Sequence, residues 1–186
     1  DVQVGHGVEQ WLDTSVFEGQ FLLGLKHGWG RFAWENGCSY EGEFAENEIH
    51  GEGKYAWPDG RWYSGQWRRN QMGPAGTMGW PDGRVYEGEF QDGRKHGTGL
   101  HRWPDGRLYN GQWNCSKQHG VGIARTKKGQ ECRGVWKEGK FMEWLDGGPN
   151  KQTASGGAND NGSSVEQDTG KNAGVLSADD KGEIVD

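Results

Sequence analysis

The chain reads as all-β: an elongated, single-layer, twisted antiparallel sheet built from consecutive 23-residue β-hairpins. Three observations predict it. An aromatic returns every 23 residues at Phe17, Tyr40, Tyr63, Tyr86 and Tyr109, with Cys132 in the next slot. Glycines and further aromatics keep the same beat, at Gly19, Gly42, Gly65, Gly88, Gly111 and Gly134, and at Phe21, Phe44, Trp67, Phe90, Trp113 and Trp136. Composition is the third. With 35 glycines and 11 tryptophans but few branched aliphatics, the chain suits rings laid over bare backbone rather than an aliphatic globule. A period of 20–50 residues held at several positions at once marks a stacked array.

The beat sets five full repeats, 17–39, 40–62, 63–85, 86–108 and 109–131, and a closing half repeat, 132–146. Together they form one array over 17–146. Residues 1–16 carry Gly5, Gly7, Trp11 and Asp13 in phase and are expected to be the remnant of a truncated repeat. Beyond Gly147 the aromatics stop, and 147–186 holds three Lys against seven Asp/Glu among Gly, Asn and Ser. Such a stretch buries too little apolar area to offset its ordering entropy, so a disordered acidic tail is expected.

Within a repeat, Tyr86-Glu87-Gly88-Glu89-Phe90 and Gly97–Trp103 both alternate with period two, the pattern of strands. Trp103-Pro104-Asp105-Gly106 supplies a turn, repeated at Asp59-Gly60 and Asp82-Gly83, and Asp-Gly favours a type I′ hairpin. Gln91–His96 is expected to be a longer polar loop at the other end. Parity puts the aromatics and glycines on one face. On the other come Glu18, Glu41, Glu43, Glu87 and Glu89, opposed by Arg31, Lys54, Arg102 and Arg125. That face is expected to be solvated, each opposed pair adding about 0.2–1 kcal/mol.

Charge is polarised. Residues 1–60 hold three Lys/Arg against eleven Asp/Glu, and residues 61–142 hold fifteen against seven. No run is long enough for a transmembrane helix. Cys38, Cys115 and Cys132 sit at three different repeat positions with no CxxC pair, which argues against a disulfide framework or zinc site and suits a reducing cytosol. His27, His50, His96 and His119 recur one repeat apart, near 10 Å, too far to share one metal. A structural loop-to-strand hydrogen bond accounts for them better. The row Trp34, Trp57, Trp80 and Trp103 could bind a cationic head group, but packing across repeats explains it more simply. No nucleophile elbow or nucleotide loop is present, and the Gly-x-Gly pairs belong to strands. No catalytic residue, metal, cofactor or nucleic-acid site is expected.

Tyr-x-Gly-x-Phe/Trp, His-Gly-x-Gly and Trp-Pro-Asp-Gly at this period resemble the MORN repeat (membrane occupation and recognition nexus), best over Tyr86–Leu108, and the resemblance covers residues 4–146. It implies the hairpin array with a grooved aromatic face, and roles in scaffolding, dimerisation and docking. Similar arrays also precede lipid-kinase domains such as phosphatidylinositol phosphate kinases. Repeat 63–85 departs from the pattern, with Gly73-Pro74 in place of His-Gly.

The expected function is therefore a non-catalytic, cytoplasmic scaffold, placed by the resemblance at a membrane–cytoskeleton boundary. It would bind a protein segment through Tyr40, Phe44, Tyr55, Trp57, Tyr63, Trp67, Trp80, Tyr86, Phe90, Trp103, Tyr109 and Trp113. One alternative is recruitment to anionic lipids by Arg68, Arg69, Arg94, Lys95, Lys117, Lys127, Lys128, Lys137 and Lys140; another, implied by the resemblance, is an accessory array of a larger enzyme such as a phosphatidylinositol phosphate kinase. The exposed sheet edges also suggest a homodimer, with acidic halves set against basic ones.

Overall fold

The computed structural model describes residues 2–149. They form one thirteen-stranded antiparallel sheet in which every strand pairs with its neighbours in sequence. The strands are β1 (Gly5–Gln10), β2 (Val16–Leu22), β3 (Leu25–Ala33), β4 (Ser39–Ala45), β5 (Glu48–Ala56), β6 (Trp62–Arg68), β7 (Gln71–Gly79), β8 (Val85–Gln91), β9 (Arg94–Arg102), β10 (Leu108–Asn114), β11 (Lys117–Arg125), β12 (Glu131–Lys137) and β13 (Lys140–Trp144). Twelve inter-strand steps at ~4.8 Å make the stack about 58 Å long. Among the described residues no helix is long and apolar enough to cross a membrane. The expected tail lies almost wholly in 150–186, outside the described residues.

Two kinds of turn alternate, and both correct the sequence reading. The Trp-Pro-Asp-Gly connection is not type I′. Gly60 N–H donates to the Trp57 carbonyl at 3.1 Å, and Trp57 N–H donates to the Arg61 carbonyl at 2.9 Å. Proline at the second turn position holds φ near −65°, which excludes a type I′ turn there. The loop is instead a three-residue one, a type I turn whose last residue is left-handed, and Gly60 takes that position with φ 89°. The Asp59 carboxylate then accepts the Arg61 N–H at 2.9 Å.

The type I′ turns lie at the opposite ends of the strands. Gln91–His96 is strand rather than loop: Gln91 pairs with Arg94, Phe90 with Lys95 and Glu89 with His96, leaving only Asp92-Gly93 to turn the chain. Both turn residues have positive φ (50° and 67°), as do Glu46-Asn47, Arg69-Asn70 and Cys115-Ser116. Three of these turns, at Asn47, Asn70 and Ser116, are clipped to the preceding repeat. Asn70 N–H donates to the Ile49 carbonyl at 3.0 Å, and its side-chain oxygen accepts the Ile49 N–H at 2.8 Å. The clip ties one hairpin to the next outside the strand ladder.

The core is the aromatic face itself. Tyr40, Tyr63, Tyr86 and Tyr109 are wholly buried, although among the described residues no second layer of secondary structure covers them. Each tyrosine ring lies over a glycine of the partner strand, Gly53, Gly76, Gly99 and Gly122, where a Cβ would overlap it. The phenol caps a bulge: Tyr86 O–H donates to the Glu89 carbonyl at 3.0 Å and to the His96 carbonyl at 3.5 Å. Register slips at that point, Gly88 facing Gly99 but Glu89 facing His96, with Gly97 left-handed at φ 58°. This explains the glycine of the His-Gly beat. The histidine contributes its backbone carbonyl to the bond, not its imidazole.

The charged face is exposed as expected, but its charges pair only in part. Glu18–Arg31 and Glu41–Lys54 do stand opposite each other. Glu89, however, is turned to the backbone, its carboxylate accepting Thr98 N–H at 2.8 Å and Thr98 O–H at 2.7 Å. Those bonds, led by the hydroxyl, hold its carboxyl below the usual range. The same face exposes apolar Trp29, Val121 and Ile123. It is a mixed surface rather than a ladder of ion pairs.

Candidate partner-binding face

Eight of the twelve aromatics named from sequence are structural. Besides the four tyrosines, Phe44, Trp67, Phe90 and Trp113 are buried. They stand edge-on to the tyrosines, for instance Tyr86–Phe90 at 5.1 Å and 89° and Tyr86–Trp113 at 5.3 Å and 82°. Edge-to-face pairs add about 0.5–1.5 kcal/mol beyond area burial. Trp113 Nε1–H donates to the Gly99 carbonyl at 3.0 Å, which locks its ring against the neighbouring repeat.

The remaining four, Tyr55, Trp57, Trp80 and Trp103, are half-buried and line the rim of the same face. Phe32 and Trp34 extend the row, stacked at 4.4 Å. Trp34 meets Tyr55 at 5.5 Å, and Tyr55 meets Trp57 at 4.7 Å. Met78 interrupts the ladder at the position of Tyr55. It resumes as Trp80, His101 and Trp103, with centroid separations of 5.6 and 4.3 Å.

Three of these tryptophans are built identically. Arg61, Arg84 and Arg107 place their guanidinium 5.4, 5.5 and 5.4 Å from the ring centroids of Trp57, Trp80 and Trp103. Each Nε–H donates to the turn aspartate, at 2.6 Å for Asp59 and Asp82 and 2.9 Å for Asp105. The Arg107 side chain, with Lys127 at 3.1 Å, draws the Asp105 carboxyl down to about 2. The sequence reading missed these arginines, although Trp-Pro-Asp-Gly-Arg repeats with the period at all three sites.

Lys95 is a correction. Named as a surface cation for lipid, it is buried, its ammonium 4.7 Å from the Trp113 centroid and 5.2 Å from that of Trp80. It lies in β9, not in a loop, and parity turns it onto the aromatic face. Lys26 does the same one end over, 4.7 Å from Trp11 and 2.8 Å from the Glu9 carboxylate. The intervening repeats have Ile49 and Met72 at that position. The slot therefore accepts either an apolar chain or a cation over rings.

The other basic candidates are exposed but divide between two edges. Arg68, Arg69, Arg94, Lys117, Lys137 and Lys140 flank the type I′ turns and form one rim. Lys127 and Lys128 lie in the connection between β11 and β12 at the opposite edge. Among the described residues no group of three or more His, Cys, Asp or Glu could hold a metal.

The tyrosine–glycine bulge, the left-handed glycine after histidine and the Pro-Asp-Gly turn recur repeat after repeat. The MORN repeat family matches the chain at residues 17–39, 40–60, 63–83, 86–106 and 109–130, more than half its length. The chain belongs to the MORN-repeat family. No curated protein is a recognisable sequence relative. Solved structures remotely similar to this MORN array include two peptide complexes. One is the TCP10 domain of Danio rerio CPAP in complex with a peptide of Danio rerio STIL: 14% identity, 73% of this chain and 68% of that one, TM-score 0.33. The other is the SAS-4 (dCPAP) TCP domain of Drosophila melanogaster in complex with a proline-rich motif of Ana2 (dSTIL): 13% identity, 74% and 87% coverage, TM-score 0.37.

Proposed function

We propose that the array is a non-catalytic scaffold that holds a protein segment along the rim of its aromatic face. One observation carries this reading: a row of half-buried rings, Trp34, Tyr55, Trp57, Trp80 and Trp103, lies on a sheet face that no second layer covers among the described residues. The buried rings beneath supply a rigid floor, and the stacked arginines fix three of the tryptophans. Rings fixed before binding lose little side-chain entropy when a partner covers them.

The test must use the rim and spare the core. Substituting Tyr86 would remove a wholly buried ring and confound binding with unfolding. In the triple variant Trp57→Ala/Trp80→Ala/Trp103→Ala, peptides selected from a displayed library on the wild-type array are expected to bind about 30-fold or more weaker, the loss of one hot spot of about 2 kcal/mol. A triple variant with a cooperative melt and unchanged affinity would remove the rim as the site.

A second reading is favoured by the basic rim at the type I′ turns. Six cations along one edge can face an anionic leaflet together, each contributing about 1 kcal/mol. Sedimentation with phosphatidylserine vesicles is expected at low salt and not at high salt. Reversing Arg68, Arg69 and Arg94 to Glu is expected to abolish it. No sedimentation of the wild type at low salt would refute the reading.

A further inference from the structure

The chain names one occupant for the aromatic face. We propose that its own acidic segment Val175–Asp180 docks on the face of repeats 63–85 and 86–108, over Trp80, Trp103 and Lys95, and competes there with a partner segment. This deepens the scaffold reading by supplying a resident competitor.

The path out of the sheet points that way. After β13 the chain runs on beside β12 for one more rung, Leu145 N–H donating to the Arg133 carbonyl at 2.8 Å and the Asp146 carboxylate accepting the Arg133 N–H at 2.7 Å. Gly148 is buried against the Trp144 ring, where a side chain would clash. Trp144 in turn packs edge-on against Trp136, part of the buried aromatic cluster, at 5.9 Å. The backbone therefore leaves the sheet beside the aromatic face.

Length fits as well. From β13 to β9 is four strand steps, about 19 Å. Residues 150–174 are Gly-, Asn- and Ser-rich, and a 25-residue connection of that kind has a root-mean-square span of roughly 25–30 Å. A tether matched to its span gives an effective concentration on the order of millimolar, so even a weak site is well occupied.

Chemistry suits the segment. Residues 150–186 carry seven Asp/Glu against three Lys, whereas residues 61–142 carry fifteen Lys/Arg against seven Asp/Glu. Val175-Leu176-Ser177-Ala178-Asp179-Asp180 puts two apolar side chains next to two carboxylates. The face beneath offers tryptophan rings for the first. For the second it offers the Lys95 ammonium, held over Trp80 and Trp113, and the Arg107 guanidinium over Trp103. A carboxylate brought to an ammonium on a water-poor aromatic floor is attracted more strongly than at an open surface.

Carbodiimide cross-linking of the dilute full chain tests this with no partner present. A monomer-sized product joining Asp179 or Asp180 to Lys95 is expected, and it should be lost in Asp179→Asn/Asp180→Asn. Cross-links only to the exposed Lys117, Lys127, Lys128, Lys137 and Lys140 would overturn the proposal. A second readout does not depend on lysine reactivity. In the tryptophan indole N–H NMR spectrum, Val175→Ser/Leu176→Ser should shift Trp80 and Trp103 and leave Trp34 and Trp57 in place. Unchanged Trp80 and Trp103 signals would also overturn it. Neither readout involves a partner, so failure here leaves the scaffold reading intact. Conversely, unchanged peptide affinity in the tryptophan triple variant sinks that reading alone. If both hold, Asp179→Asn/Asp180→Asn should bind selected peptides about tenfold tighter.

Discussion

Taking the protein from about pH 9 to pH 12 is expected to unfold the array cooperatively, with tyrosinate appearing only as the fold is lost. An ordinary phenol titrates near 10. Burial pushes Tyr63 and Tyr109 up to about 12, and desolvation raises Tyr40 and Tyr86 further still, the nearby Glu43 and Glu89 carboxylates adding to the shift. The sign follows from which state keeps its proton. Between pH 10 and 12 the unfolded chain has lost its phenolic protons while the folded chain retains them, so stability falls as pH rises. It is complete below pH 10 and lost through the folded values. A shift of two units is worth about 2–3 kcal/mol per tyrosine, and four such groups approach or exceed the ~5–15 kcal/mol that holds a typical domain together. Absorbance at 295 nm and β-sheet circular dichroism should change at the same pH. Tyrosinate absorbance rising near pH 10 with the dichroism intact would contradict the burial on which the fold rests.

The array was legible because its sequence states the same rule five times. Period, strand parity and the aromatic–glycine alternation each emerge when Tyr40, Tyr63, Tyr86 and Tyr109 are aligned, and a sheet of sequential hairpins is the arrangement that satisfies all three. What stayed hidden depends on single backbone dihedrals. Asp-Gly after proline suggests a type I′ turn, yet the proline at the second turn position makes it a three-residue loop, and the true type I′ turns use Glu46-Asn47, Arg69-Asn70, Asp92-Gly93 and Cys115-Ser116. The role of the histidines was hidden for a related reason: the bond to tyrosine is made by a carbonyl, which every residue has. At the candidate site, period located the rings but not their depth. Tyr86 and Trp103 look alike as aromatic beats, but one is wholly buried and the other is half-buried. Lys95 was misread because a basic residue suggests a solvated loop, whereas parity within β9 turns it onto the rings.

Gly99→Ala is expected to destabilise the array by about 3 kcal/mol, lowering the melting temperature by about 6–12 °C. Its φ is not in the left-handed region, so the backbone would accept a side chain; what excludes one is the Tyr86 ring, which the new Cβ would overlap. The ring has nowhere to go. Its hydroxyl is held by the Glu89 carbonyl at 3.0 Å, and its edges are packed against Phe90 and Trp113. Moving it opens a void and strands buried carbonyls, whereas leaving it forces the two strands apart. A double-mutant cycle isolates that cause. Tyr86→Ala alone should cost about 3–5 kcal/mol, as removal of a large buried ring does. In that background the obstruction is gone, and Gly99→Ala should change sign, stabilising by up to about 1 kcal/mol because alanine restricts the unfolded chain more than glycine does. If Gly99→Ala costs the same with and without the tyrosine ring, then strand geometry rather than ring-on-glycine packing explains the glycine beat. The single-layer core would then need another physical basis.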